Sequence, residues 1–281
     1  MATSNDKSTA EGESNTPPIP VPREHKALDY LLSQIPKKAQ KGMLVQCDLD
    51  LLCVDADSEY IVLGSNVGTL FLYSRKREVM ERLKTNSHND LITAVRLHHG
   101  LEHQVVAGTS KGIVYIFQLP SSLPGQNKRL QMFVVKDMHK HKITCCVWSL
   151  NGMKVFTGDD SGVVVSTEFD AYQGQCKSSV TLVERDSQII QLHHAHKALL
   201  VSTNHRSFIF RPDADDHIIQ VGQKERKIVG DFGACFIPAM CKPDDASAVC
   251  VKTRNESVEG GHGWKSHQYI FVQRTPSKGP S

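Results

Sequence analysis

The chain has 281 residues, 40% hydrophobic and 22% charged, an ordinary soluble composition that can bury a real core in one large or two small domains. Its 33 lysines and arginines against 30 acidic residues leave a formal net charge of +3. Those basic residues are spread too thinly to point to nucleic acid, and they limit any membrane contact to a peripheral one. No apolar run reaches the roughly 18 residues of a membrane span. The opening MATSNDKSTAEGESNTPPIPVP lacks the basic and apolar regions of a signal peptide, so a cytoplasmic protein is expected.

Residues 1–22 mix polar residues with Pro17, Pro18, Pro20 and Pro22 and are expected to be a disordered tail. Over 23–42, Leu28, Leu31, Leu32 and Ile35 stand at helical spacing until Pro36 stops the pattern, which predicts a short amphipathic helix and a linker. From 43 to 272 the apolar runs become short, rich in Val, Ile, Phe and Tyr, and separated by Gly, Asp, Asn and Ser. This is the signature of an all-β protein. Residues 273–281 form a polar tail.

Within the β region four stretches align in one register: YIVLGSNVGTLFLYSRK, QVVAGTSKGIVYIFQLP, KVFTGDDSGVVVSTEFD and LLVSTNHRSFIFRPD. Each has an apolar strand, a small-residue corner, a tight turn and a second apolar strand. The corner falls at Gly64, Gly108, Gly158 and Ser202, at spacings of 44, 50 and 44 residues. The turn glycine falls at Gly68, Gly112 and Gly162, with Arg206 in the fourth copy. Glycine tolerates the positive φ of such turns, and Asp160 and its neighbours can bond back to the backbone.

A further strand precedes three copies: ITAVRL at 92–97, ITCCVWSL at 143–150 and IIQLHH at 189–194. A period of about 44 residues is that of one four-stranded propeller blade, so the chain is expected to hold about five blades of an incomplete propeller. The 50-residue spacing comes from SSLPGQNKRL, an insertion at 121–130. It is expected to project, with Ser121, Leu123, Pro124, Asn127, Lys128 and Arg129 as a candidate partner-binding loop. The final stretch, RNESVEGGHGWKSHQYIFVQRTPSKGPS, loses the rhythm apart from SHQYIFVQ.

The third copy, HKHKITCCVWSLNGMKVFTGDDSGVVVSTEF, resembles the WD repeat through His139, Ile143, Cys146, Trp148 and Gly158-Asp-Asp-Ser-Gly162. No copy ends in Trp-Asp, so the hydrogen-bonded network of a full repeat is incomplete, with His139 and Asp160 as its expected partners here. Several segments, LDYLLSQIPKKAQKG, YIVLGSNVGTLFLY, FQLPSSLPGQNKRL, HKITCCVWSLNGMKVFTGDDSGVV, LLVSTNHRSF and GDFGACFIPAMCK, together resemble the N-terminal propeller of the tectonin β-propeller repeat-containing proteins. The propeller of a Hermansky–Pudlak syndrome protein is similar in outline. These resemblances span about residues 25–243 and imply protein partners in autophagy and endolysosomal trafficking.

Candidate chemistry is sparse. Eight cysteines occur without a Cys-x-x-Cys pair, mostly in apolar surroundings such as ITCCVW, and read as reduced core residues. For the histidine groups His98, His99, His103 and His139, His141 and His193, His194, His196, no nearby Cys or carboxylate set completes a four-ligand site, so no metal is expected. Gly-x-Ser-x-Gly, His-Glu-x-x-His and phosphate-loop motifs are absent. Asp159 and Asp160 fall where sibling copies carry Ser65-Asn66 and Thr109-Ser110, which makes them turn residues. The expectation is a non-catalytic scaffold for protein–protein interaction, without cofactor or small-molecule substrate. The competing reading places a small-ligand or hydrolytic site in the central channel, where the repeats put small and apolar residues.

Overall fold

The computed structural model describes residues 27–41, 45–87, 89–100, 102–121, 125, 128–170, 173–195, 197–211, 217–221, 229–230, 232–237, 247–254 and 267–274. The chain divides into two compact units, Met1–Gln34 and Ile35–Ser281. In the first, α1 (Ala27–Ser33) ends where the Ser33 hydroxyl turns back onto the Tyr30 carbonyl at 2.6 Å, three residues before Pro36. No helix among the described residues is long and apolar enough to cross a membrane.

The second unit opens with a small antiparallel pair, β1 (Lys38–Lys41) and β2 (Val45–Asp48). The segment expected at 23–42 as a short helix and linker therefore also contains a strand, β1.

Consecutive four-stranded meanders follow. The first holds β3 (Leu51–Ala56), β4 (Tyr60–Ser65), β5 (Thr69–Ser74) and β6 (Val79–Lys84). The second holds β7 (Ile92–His98), β8 (Gln104–Thr109), β9 (Val114–Gln118) and β10 (Gln131–Val135). The third is β11 (Ile143–Trp148), β12 (Lys154–Asp159), β13 (Val163–Asp170) and β14 (Gln175–Glu184), and the fourth β15 (Ile189–Ala195), β16 (Ala198–Thr203), β17 (Ser207–Arg211) and β18 (His217–Val221). A three-stranded sheet, β19 (Ala234–Ile237), β20 (Ser247–Arg254) and β21 (His267–Arg274), comes last, so the stretch that loses the repeat rhythm still forms a sheet. The architecture is the WD-repeat-like β-propeller that the repeats predict.

Middle strands are largely buried and mainly apolar because both their faces are covered. In β8, Val105 and Ala107 pack with Val62, Leu70 and Leu72 of the first sheet, whereas Val106 packs with Ile143 and Trp148 of the third. Alternation along β16 sends Leu199 and Val201 toward the third sheet and Ala198 and Leu200 toward the fifth. Each core thus lies between sheets, while the fourth strands, such as β6 and β14, are largely exposed.

A single joint repeats around the inner strands. Gly64, Gly108 and Gly158 each face the first isoleucine of the next sheet, namely Ile92, Ile143 and Ile189, and all three isoleucines are fully buried. A Cβ at Gly64 or Gly158 would stand 2.6 Å from that isoleucine's Cγ2, and one at Gly108 closer still, so the corner must be glycine. The first strand of each of the four repeats carries a register shift at the same place, skipping Leu52, Thr93, Thr144 and Ile190. There the Thr93 hydroxyl donates to the Ile143 carbonyl at 2.6 Å, and the Thr144 hydroxyl to that of Ile189. Gly68, Gly112 and Gly162 have φ of +66°, +76° and +98°, and a Cβ on each would meet the backbone of the segment entering the next sheet.

A valine at position 108 would overpack this joint. Gly108→Val is expected to lower unfolding free energy by about 1–3 kcal/mol, and adding Ile143→Ala should cost less than the two single changes summed. Urea titration of the single and double variants measures both, and a neutral Gly108→Val would refute the joint.

Candidate interaction surface

The four repeats place two kinds of connection at opposite ends. The hairpin turns between second and third strands lie at one end, and the first-to-second and third-to-fourth connections lie at the other. The inner strands share one direction, since Thr93 reaches Ile143 at their starts and the Trp148 indole N–H reaches the Arg96 carbonyl, at 3.2 Å, near their ends.

At the turn end every hairpin is capped by its own small polar residue. Ser65 Oγ lies 3.3 Å from the Thr69 amide and Thr109 Oγ1 accepts from the Ile113 amide at 3.1 Å. In the third repeat the cap is Asp159, whose Oδ1 accepts from Ser161 Oγ at 2.7 Å, Ser161 N at 3.0 Å and Val163 N at 2.9 Å. Its Oδ2 lies 2.8 Å from His139 Nδ1, and His139 Nε2 lies 2.8 Å from Thr157 Oγ1, with both His139 and Asp159 side chains out of solvent. His139 therefore pairs with Asp159 rather than with Asp160, because strand alternation turns residue 159 inward and leaves 160 in the exposed turn. Asp160 instead accepts nothing closer than His141 Nδ1, at 3.8 Å, and its amide donates to the Lys142 carbonyl at 3.0 Å.

Sibling positions do the same stitching. Ser110 Oγ donates to Asp90 at 2.9 Å, and Asn66 Nδ2 donates to the Asp48 carbonyl at 3.0 Å. The turn end is consequently closed by its own polar contacts. Beside the fourth hairpin a cavity of about 590 Å³ is bordered by Arg185, His205, Arg206 and Phe208, with the Arg185 guanidinium 5.2 Å from the Phe208 ring centre.

The opposite end carries the exposed apolar groups. The turn after β11 is locked by Ser149 and Asn151, with Lys154 N donating to Ser149 Oγ at 2.9 Å, Met153 N to Asn151 Oδ1 at 3.1 Å, and Gly152 at φ +68°. That frame holds out Leu150, 76% exposed, and Met153, 55% exposed. On the preceding sheet the 119–130 connection emerges at this end, closed by Lys128 Nζ donating to the Ser121 carbonyl at 2.9 Å. Ser121 is buried and anchors the base of the loop instead of projecting, because its carbonyl is engaged. Lys128, Arg129 and Leu130 are exposed, whereas Leu123, Pro124 and Asn127 lie outside the described residues. Leu150 and Met153 escape a reading based on repeats, although a leucine inside Ser-Leu-Asn-Gly, where turns are normally polar, is the signal that marks them.

The inner strands enclose a cavity of about 270 Å³ bordered by Cys53, Thr93, Arg96, Thr144, Cys145 and Gln191. Val54, Ala94, Val95, Ile190, Leu192 and Gly233 also border it, and its Arg96 Nη1 is engaged by Asp55 Oδ1 at 3.1 Å. Burial pushes the Cys53 and Cys145 thiols up to about 12, so both stay protonated and poorly nucleophilic at neutral pH.

No family model matches the chain. Among curated proteins it is 42% identical over 253 residues to human tectonin beta-propeller repeat-containing protein 2, an alignment covering 90% of this chain. The chain is homologous to part of that protein. It is also 37% identical over 227 residues to the Drosophila melanogaster WD repeat-containing protein CG11141 and 26% identical over 226 residues to human BLOC-2 complex member HPS5, covering 76% and 78% of this chain. It spans only 17% of the tectonin protein's length, 32% of the fly protein's and 19% of HPS5. In solved structures the fold is similar to Kluyveromyces lactis Hsv2, with a TM-score of 0.50 at 14% identity, covering 83% of this chain and 76% of that one. The resemblance to the tectonin protein and the propeller fold are therefore both borne out.

Two measurements follow. Burial alone raises the Asp159 carboxyl, but hydrogen bonds from His139, the Val163 amide and Ser161 outweigh it and lower it from 3.8 to about 2. Because the folded value is depressed, its stabilisation is complete above about pH 4 and is lost as pH falls toward 2. Asp159→Asn is expected to lose about 2–3 kcal/mol at neutral pH and to show a shallower acid dependence in that window, as measured by urea unfolding at several pH values. An unchanged acid slope would refute the assignment. In native thiol titration at pH 8, exposed Cys235 should react first and Cys53 and Cys145 only on unfolding. Rapid native labelling of Cys145 would show the channel to be open and reactive.

Proposed function

We propose that this chain is a non-catalytic β-propeller scaffold, acting in the cytoplasm, that binds partner proteins of autophagy and endolysosomal trafficking. The observation that carries the reading is homology to the tectonin protein together with a relative named as a member of a BLOC-2 complex, since the second name is that of a subunit of a protein assembly. The geometry agrees. A rigid turn holds Leu150 and Met153 in solvent, and the basic 128–129 segment emerges at the same end, which together supply apolar anchors and a charged rim. Protonated channel thiols and an engaged Arg96 favour binding over covalent chemistry.

Affinity capture from cytosol with the untagged chain coupled to beads, read by mass spectrometry, tests this. Trafficking or autophagy proteins are expected, and Leu150→Glu/Met153→Glu should reduce their recovery tenfold or more while leaving thermal unfolding unchanged. Recovery of none of them, alongside a hydrolase activity abolished by channel substitutions, would overturn the scaffold reading in favour of a channel site.

A further inference from the structure

We propose that Asp57, His99 and His103 form a binding site for a divalent transition-metal ion, zinc by the character of the donors. Asp57 stands just after β3 in the first sheet. His99 and His103 flank the connection between β7 and β8 in the second, so the fold gathers at one joint what the sequence separates by more than forty residues. The histidine cluster, which has Glu102 beside it in sequence, gains Asp57 and Glu59 from the neighbouring sheet.

The ligand atoms of the three residues all lie within 4.8 Å of one another. His99 Nδ1 is 3.8 Å from Asp57 Oδ2, too far for a hydrogen bond, while ligands about 2.0 Å from a tetrahedral zinc stand about 3.3 Å apart. Closing the widest separation, up to 4.8 Å, takes side-chain adjustments of up to about 1.5 Å.

The bonding of Asp57 is lopsided. Its Oδ1 accepts from the Glu59 amide at 2.8 Å and the Tyr60 amide at 2.7 Å, which fixes the carboxylate. Its Oδ2 is buried with no hydrogen-bond partner, and so is His103 Nδ1. Buried polar atoms left bare are costly, and two of them beside a third donor are what a bound cation would satisfy. A ligating carboxylate held through its other oxygen is the usual support around a metal. Glu59 Oε2 lies 3.3 Å from His103 Nε2, on the far side of the ring from Nδ1, where it orients the imidazole. Tyr60 packs edge-on against His103 at 5.1 Å and His99 lies 4.9 Å from it, which limits ring rotation. Two histidines with one carboxylate suit zinc and the later first-row ions, and are too nitrogen-rich for calcium or magnesium. The ion would fasten the first sheet to the second at the end that carries Leu150.

Titration of the untagged 281-residue chain with Co²⁺, followed by displacement with Zn²⁺, tests the site. One equivalent should bind with visible d–d bands and without the near-ultraviolet thiolate band that cysteine ligation gives, and zinc should raise the melting temperature. His99→Gln and His103→Gln are each expected to weaken binding by about 100-fold or more, and Glu59→Gln by about 10–100-fold. His194→Gln, in a different cluster, should leave it unchanged. His99 is half exposed, so its variant decides the matter even if His103→Gln fails to fold. Absence of binding, a thiolate band, or binding indifferent to His99→Gln would overturn the proposal.

Discussion

An isoleucine seated over a glycine of the preceding sheet is the contact on which the rest of this structure depends. A propeller blade cannot bury both faces by itself, so its stability lies in what the next blade presses against it. The glycine removes the one atom that would hold the inner strands apart, and the adjacent bulge then lets a threonine hydroxyl reach across to the isoleucine's own carbonyl. Apolar packing and a hydrogen bond thus coincide at one point. The three cores that join the first to the fourth sheet extend outward from it.

Where the joint changes, its surroundings change with it. Ser202 replaces the glycine in the fourth repeat and bonds Ser207 at 2.9 Å, and among the described residues Ala198, Leu200, Ile209, Val221, Ala234 and Phe236 pack between the fourth and fifth sheets. At the other limit, Leu51 occupies the position of the buried isoleucines yet is 36% exposed, with no glycine of another sheet over it among the described residues. A branched aliphatic side chain at the same register position is therefore core or surface according to whether a neighbouring sheet covers it.

This division of labour bears on function. The turn end spends its polar groups on its own hairpins, including the buried His139–Asp159 pair, and so offers a partner few unpaired groups. At the other end stand Leu150, residues 128–130 of the β9–β10 connection and the Asp57–His99–His103 group. Recognition surfaces on rigid scaffolds commonly take this form, with ordered turns holding out a few apolar or ligating side chains.

By itself the sequence determined the repeat, its period, the corner and turn glycines and the strands at 92–97, 143–150 and 189–194, because each depends on local alternation and on φ values that only glycine adopts easily. The outer strands β6, β10, β14 and β18 were not legible, since a strand with one wet face carries a weak apolar pattern. The last sheet was hidden because β19, β20 and β21 are separated by long connections. Only tertiary structure decided that His139 chooses Asp159 over Asp160, which depends on which way a strand residue points. Only tertiary structure, again, set Asp57 beside His99 and His103, because contacts between blades join residues that no local pattern relates.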